Sequence, residues 1–456
     1  MRPRRLACLV LLFIMVLVFL PITGLQKAHG SAPVSDTWYL AEGSTKWGFS
    51  TYINIENPND EKVTAYIYYM TSRGVYNDSI NLPALSQTTV NPADRLGHED
   101  FSTKVHCGRD ALGYTKTICV DRRMIWTGPG AASSEGHSSV GVTAPATTWY
   151  LPEGSSKWGF ECWLLIQNPH SYTAHCQVTY MKEGEGPQTV EHDVAANSRA
   201  TFDMSKDIGA KDASIRVDSD ISVIPERAMY RNNRREGHDS IGTTAPANDY
   251  YLAEGATGYP ARFVTYVLVQ NPQNTSTDVS LTYMTKTGQK AGPNFQMPAN
   301  SRKTVRVNDS AGQDQDVSTH VRGSQAIIAE RSMYWNSPTG EACHDSIGMA
   351  APHSTFYLPD GETYNGTETW TLVQNPNASA VTVEVTYLRG GGGAIPLTST
   401  IPANSRRTFF MADKIGAGKA AIMVTSKTAG KKIMVERSMY WNNRGAGTDT
   451  IGGFSD

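Results

Sequence analysis

Three residue types able to do chemistry stand side by side in this chain, and more than once. His344-Asp345-Ser346 has counterparts at His238-Asp239-Ser240, His137-Ser138-Ser139 and Thr448-Asp449-Thr450. A histidine base, an acid that orients it and a hydroxyl nucleophile are the parts of a hydrolytic triad. The spacing argues against one. Consecutive residues of an extended chain point to alternate faces, so neighbours in sequence do not meet as base and nucleophile. One copy also lacks the acid and another lacks the histidine. The run reads as the start of a strand or loop whose Asp and Ser bond nearby backbone groups. No catalytic residue is assigned.

A carboxylate recurs as well, at Glu42, Glu153, Glu254 and Asp360. Glycoside hydrolysis needs two carboxylates facing each other across one cleft. A single acid in every copy points to a structural task. Its expected partner is a later arginine, giving the pairs Glu42 with Arg122, Glu153 with Arg227, Glu254 with Arg331 and Asp360 with Arg437. Glu226, Glu330 and Glu436 adjoin three of these arginines and compete for them. The Met-Tyr-Trp ends that follow read as core and sheet surface. A further recurring group is an aromatic, Trp47, Trp158, Tyr259 and Tyr364, in a stretch that reads as a loop. Such rings supply rigid contact area for a sugar or a protein. The other reading makes them plugs over one open end of the domain.

The elements that must position these residues repeat with a long period. Each copy opens on an aromatic pair, Leu and an acid before Gly, at Trp38–Gly43, Trp149–Gly154, Tyr250–Gly255 and Phe356–Gly361. By residue number the starts lie 111, 101 and 106 residues apart. Solenoid repeats run about 20–50 residues. A period near one hundred is the size of a small domain with its own core.

Within a copy, Val381, Val383, Val385 and Tyr387 alternate with Thr382, Glu384 and Thr386, the period of a half-buried strand. Thr369–Gln374 precedes it as another strand. Asn375-Pro376-Asn377 between them reads as a hairpin loop, repeated at Asn57-Pro58, Asn168-Pro169 and Asn271-Pro272. Pro298–Ser301 and its copies separate two more short strands. Seven or eight strands in about a hundred residues, with no convincing amphipathic helix, predict an antiparallel β-sandwich. The chain is therefore expected to be all-β, with four tandem antiparallel β-sandwich domains at 31–145, 146–246, 247–352 and 353–456. Short linkers predict that neighbouring domains touch.

These motifs carry a resemblance. The aromatic–Leu–x–Glu–Gly start, the strand running into an Asn turn, the Pro-Ala-x-x corner and the late Val/Ile-rich strand are similar to the β-sandwich family of sensory rhodopsin transducers. The tandem form resembles a repeat of secreted bacterial proteins. The resemblance covers nearly all of the chain after its first thirty residues and implies a sandwich that binds protein partners and self-associates. That family's members are single cytoplasmic domains, so the fold carries over and the signalling role does not.

Residues 1–30 read as a secretory signal. Arg2, Arg4 and Arg5 precede the apolar run Leu6–Ile22, and Ala28-His29-Gly30 offers small residues for cleavage. The run is long enough that an uncleaved membrane anchor stays open. Without this segment the chain has 37 basic and 43 acidic residues, a net charge of −6. With no basic block, nucleic acid is not an expected partner. Cys107 with Cys119, and Cys162 with Cys176, are expected as local disulfides of an exported protein. Cys343 is left over. No cofactor is expected, and neither C-x₂-C spacing nor a His pair marks a metal site. The expectation is a non-catalytic exported rod at the bacterial cell surface, serving as spacer, adhesin or sensor ectodomain. The alternative is a carbohydrate-binding protein that uses the loop aromatics. Partners would be a cell-surface protein or a wall polysaccharide. A hydrolase would need one chemically special copy, and the copies depart from one another only mildly.

Overall fold

The computed structural model describes residues 33–109 and 113–456. The proposed signal segment and Asp110–Leu112 lie outside them. Strands make up 63% of the chain and helix 4%, so the protein is all-β. The helical residues are one-turn helices at corners, among them Ala93–Leu96 and Met204–Ile208.

Among its described residues the first repeat has eight strands: β1 (Thr37–Leu40), β2 (Ser50–Asn57), β3 (Val63–Thr71), β4 (Gly74–Leu82), β5 (Ser86–Val90), β6 (Phe101–Cys107), β7 (Cys119–Trp126) and β8 (Glu135–Val140). They form two antiparallel sheets, ordered β1-β6-β3-β4 and β5-β2-β7-β8. The later repeats keep this order. In the second and third, the counterparts of β6 and β7 are one long strand that serves both sheets, Ala213–Arg231 and Ser318–Ser337. The alternation read from sequence is visible in β3, where Val63, Ala65, Ile67 and Tyr69 are buried. The first ring of each opening aromatic pair, Trp38, Trp149, Tyr250 or Phe356, is wholly buried. Trp38 Nε1 donates to Ile118 O and Trp149 Nε1 to Val223 O, each at 2.8 Å. Each bond ties the first strand to the start or middle of the late one.

The Asn-Pro segments are not hairpin loops. The strands they join, such as β2 and β3, lie in different sheets, so the loop arches across the domain. The Asn side chain fixes the arch. Asn57 Nδ2 donates to Glu61 O at 2.9 Å and to Pro83 O at 2.7 Å, and Asn375 makes the same bonds to Ser379 O and Pro402 O. One amide thus holds the Asn arch to the Pro-Ala corner.

The arch also separates one of the expected cysteine pairs, Cys162 and Cys176. Cys162 and Cys176 sit on strands of opposite sheets, as do Cys107 and Cys119. All five described cysteines are buried free thiols. Cys119 donates to Tyr357 O at 3.4 Å and Cys176 to Ser219 Oγ at 3.4 Å. Burial pushes the Cys107 thiol up to about 11 and that of Cys162 to about 12, which keeps both protonated and inert.

The repeats do touch, and they do not line up as a rod. β8 and its counterparts Glu236–Ile241, Gly340–Ile347 and Ala446–Ile451 pack against one another in cyclic order, the last against the first. At the closure Val140 N donates to Thr450 Oγ1 at 3.0 Å and Val34 N to Phe454 O at 2.8 Å. Trp441 Nε1 donates to Ser134 O at 2.7 Å. The expectation of an extended rod came from tandem order alone. Order along a chain does not decide whether its ends meet.

Candidate functional site

Each junction of the ring is built on the late-strand arginine. Sequence alone paired it within its own repeat, and the structure adds the next one. Arg122 Nη1 lies 3.0 Å from Glu42 of its own repeat, and Nη2 lies 2.9 Å from Glu226 and on Asp239 of the second. Arg227 lies 3.5 Å from Glu153 and 2.8 Å from Glu330, and also holds Asp345. Arg331 lies 3.0 Å from Glu436 and 2.7 Å from Asp449. Arg437 lies 3.5 Å from Asp360 and 3.4 Å from Asp121 of the first repeat. Glu254 departs from the expected pairing. It binds Arg406 at 3.3 Å, while Arg331 Nη1 donates to His344 Nδ1 at 2.9 Å.

The His-Asp run lies at the centre of these junctions, and two of its histidines, His137 and His238, face the aspartate of the following repeat. His137 Nδ1 is 2.9 Å from Asp239, and His238 Nδ1 is 2.8 Å from Asp345. The other ring nitrogen reaches a tyrosine hydroxyl, at 3.1 Å for His137 with Tyr230 and 2.9 Å for His238 with Tyr334. Burial pushes the Asp345 carboxyl up, but His238 and Arg227 outweigh it and hold it below the usual range. Burial raises Glu226 and Glu330 despite the arginines beside them. Burial and Arg331 press the His344 imidazole well below its usual value.

Among the described residues, two clusters have metal-ligand chemistry, Glu42 with His137 and Asp239, and Glu153 with His238 and Asp345, their ligand atoms within 4.8 Å of one another. Sequence spacing missed them because each draws on two repeats. In both, the carboxylates already contact a guanidinium, which supplies the positive charge a cation would bring. The arrangement is a buried ion network that joins repeats. Nothing in it presents a nucleophile with a base in reach of open solvent.

The loop aromatics lie outside this network. Trp47, Trp158 and Tyr259 expose 81%, 77% and 80% of their surface, and Tyr364 44%. They are not plugs. Trp47 and Trp158 also have positive φ, 59° and 58°, in tight turns where the fourth repeat uses Asn365. A bulky side chain in the left-handed region costs about 1 kcal/mol or more, a cost found where a loop does a job.

Two of these rings border grooves between repeats. One groove, of about 390 Å³, is lined by Trp47, Phe49 and Asp100 of the first repeat and by Trp163, Thr201 and Tyr230 of the second. Another, of about 430 Å³, has Trp158, Phe160 and Asp212 facing Tyr266, Thr304 and Tyr334. A third, of about 200 Å³, has Phe263 and Asp316 facing Trp370, Thr408 and Tyr440 without Tyr259. Each is lined by aromatic residues, an acid from one repeat and a threonine from the next.

No protein-family model matches the chain, and no curated protein matches it. Among solved structures, Thermotoga maritima 1070 is 22% identical over 22% of this chain and 93% of that one, with a TM-score of 0.20. The Anabaena sensory rhodopsin transducer is 19% identical over 18% of this chain and 92% of that one, with a TM-score of 0.17. A tetra-tandem repeat from the extending region of a large adhesion protein is 12% identical over 88% of this chain and 93% of that one, with a TM-score of 0.11. The chain therefore has weak structural neighbours in a sensory rhodopsin transducer and a tandem-repeat adhesin fragment.

Proposed function

We propose that this is an exported, non-catalytic protein of the bacterial cell envelope, built of four β-sandwich domains closed into a ring, that binds carbohydrate such as wall polysaccharide. The observation that carries this reading is the display of Trp47 and Trp158, each about four-fifths exposed and in a strained turn, at the mouths of equivalent grooves. Aromatic faces stack on the apolar faces of sugar rings, and carboxylates and threonines suit their hydroxyls. Repeated weak sites on one body gain avidity on a polymer that spans them. A spacer loses support, since meeting ends hold nothing apart. Adhesion is the role this chemistry serves.

The test is attachment of the mature chain to a glycan array and to isolated cell walls. The variant with Trp47, Trp158, Tyr259 and Tyr364 all changed to Ala should lose attachment and keep its melting temperature. Attachment intact in that variant would end the reading.

A further inference from the structure

The four junctions share one plan, and the one that closes the ring departs from it at the centre. Strand register identifies the equivalent positions. Asp239, Asp345 and Asp449 pair with Ala228, Ser332 and Ser438, and at the same place Ser138 pairs with Arg123. His137, His238 and His344 pair with Met124, Met229 and Met333, and Thr448 pairs with Met439. Where the fourth repeat meets the first, the aspartate is thus a serine and the histidine a threonine.

These changes strand three hydrogen-bond donors. At the other junctions the arginine Nη2 donates to the aspartate and to the neighbouring glutamate. Arg437 keeps Nη1 on Asp121 and on the backbone carbonyl of Asp360, while its Nη2 has no partner. It is the only buried guanidinium Nη so placed among the described residues. Ser138 Oγ and Thr448 Oγ1 likewise have none. Arg437, Ser138 and Thr448 are 0%, 2% and 0% exposed. A buried donor left unpaired is costly, and a charged one most of all.

We propose that the closing junction binds a small monovalent anion, of the size of chloride or formate, on Arg437 Nη2, Ser138 Oγ and Thr448 Oγ1. The anion takes the place of the carboxylate that Asp239, Asp345 and Asp449 supply elsewhere. Replacing Asp by Ser removes that carboxylate, and replacing His by Thr removes a ring beside it. The charge balance suits a further anion. Two of the other junctions each set one arginine against three acids. The closing junction sets Arg437 and Arg123 against Asp121, Asp360 and Glu362, with Arg123 lying 3.3 Å from Asp360 and 3.2 Å from Glu362. One bound anion leaves it no more negative than those two. The site draws on both terminal repeats, so the ion binds the closed ring and stabilises closure.

The test is thermal unfolding of the full chain at constant ionic strength, with gluconate exchanged stepwise for chloride or formate. The expected result is a saturable rise of the melting temperature with either small anion. Ser138→Asp should abolish that dependence and melt in gluconate at least as high as the wild type does in chloride. A bromide-soaked crystal should show an anomalous peak beside Arg437 Nη2. Indifference of the wild type to chloride and formate would overturn the proposal. So would the same shift persisting in Ser138→Asp, which would mark a bulk salt effect. A Ser138→Asp chain that fails to fold would count against it too, since aspartate is accommodated at the three equivalent positions. The S138A/T448V double variant gives a separate reading and should bind bromide far more weakly while keeping the fold.

Discussion

Arg437 Nη1 lies 3.4 Å from Asp121 Oδ2, although 316 residues separate them in the chain. The contact repeats, between the two ends of the molecule, the one that Arg122, Arg227 and Arg331 each make with the repeat that follows. It makes the terminal repeats neighbours and turns a tandem array into a closed ring. Local departures then acquire partners. Ser138 and Thr448 belong to the same, closing junction. Arg231 and Cys343 stand together at another, where the other three set a tryptophan over a glycine, as Trp126 lies over Gly237 and Trp335 over Gly447.

The junction arginines hold buried carboxylates, so their loss should be expensive. Arg227→Ala leaves Glu330, Asp345 and Glu153 buried without their cation. We expect a loss of about 3–5 kcal/mol, read by chemical denaturation. A loss under about 1 kcal/mol would show that the network contributes little.

Glu135 gives stability a direction with pH. Burial, and then the charge of Glu236, push its carboxyl up to about 9. A carboxyl raised on folding contributes stability that is complete below its unfolded value, about 4.5, and is lost as pH rises through the folded one. Raised Glu226 and Glu330 act in the same direction. His344, depressed on folding, acts oppositely and loses its contribution as pH falls below about 6.5. The chain should therefore weaken steadily from about pH 6 to about pH 9, and Glu135→Gln should flatten that decline by about 1–3 kcal/mol. An unchanged slope in the variant would remove Glu135 as its source.

The thiols should behave as buried and separate. Mass spectrometry under denaturing, non-reducing conditions should find Cys107, Cys119, Cys162, Cys176 and Cys343 all alkylatable. Reductant should leave the melting temperature of the native chain within about 1 °C, whereas breaking a disulfide would cost several degrees.

Arg231 and Cys343 should be coupled. Their counterparts are a tryptophan and a glycine, and a Cβ on Gly237 would lie 3.0 Å from the Trp126 ring. Arg231→Trp alone should drive the new ring into the Cys343 side chain, at a cost of about 1–3 kcal/mol. Adding Cys343→Gly should recover most of it. Simple additivity across the double-mutant cycle would deny the coupling.

Trp47 should show a trade between stability and binding. Trp47→Asn relieves the left-handed strain, as Asn365 does in the fourth repeat, and should raise stability by about 0.5–1 kcal/mol while weakening attachment to glycan. A gain in stability with binding unchanged would make the ring an accident of the turn.

Local chemistry was legible in the sequence. Alternation of Val and Thr marked the strands, because the side-chain period of a strand is two wherever one face is buried. The opening acid and the late arginine were marked as partners by recurrence, and Arg122 does meet Glu42. The loop position of Trp47 was legible too, but whether its ring plugs the domain or faces solvent was decided by the fold. What joins one repeat to the next was decided only by the tertiary structure. The Asn-Pro arch sends consecutive strands to opposite sheets, and so parts cysteines that a hairpin would have paired. Arg331 had two acids within reach by sequence, and the fold gave Glu254 to Arg406 and put His344 in its place. His137 and His238 find their aspartates one repeat away. No periodicity reports such a pair, because its two members are set by how whole domains pack and not by the chain between them. A trace was nonetheless written in the residues. The copy that lost its aspartate and the copy that lost its histidine are the first and the last, and they lie side by side only when the ring is closed.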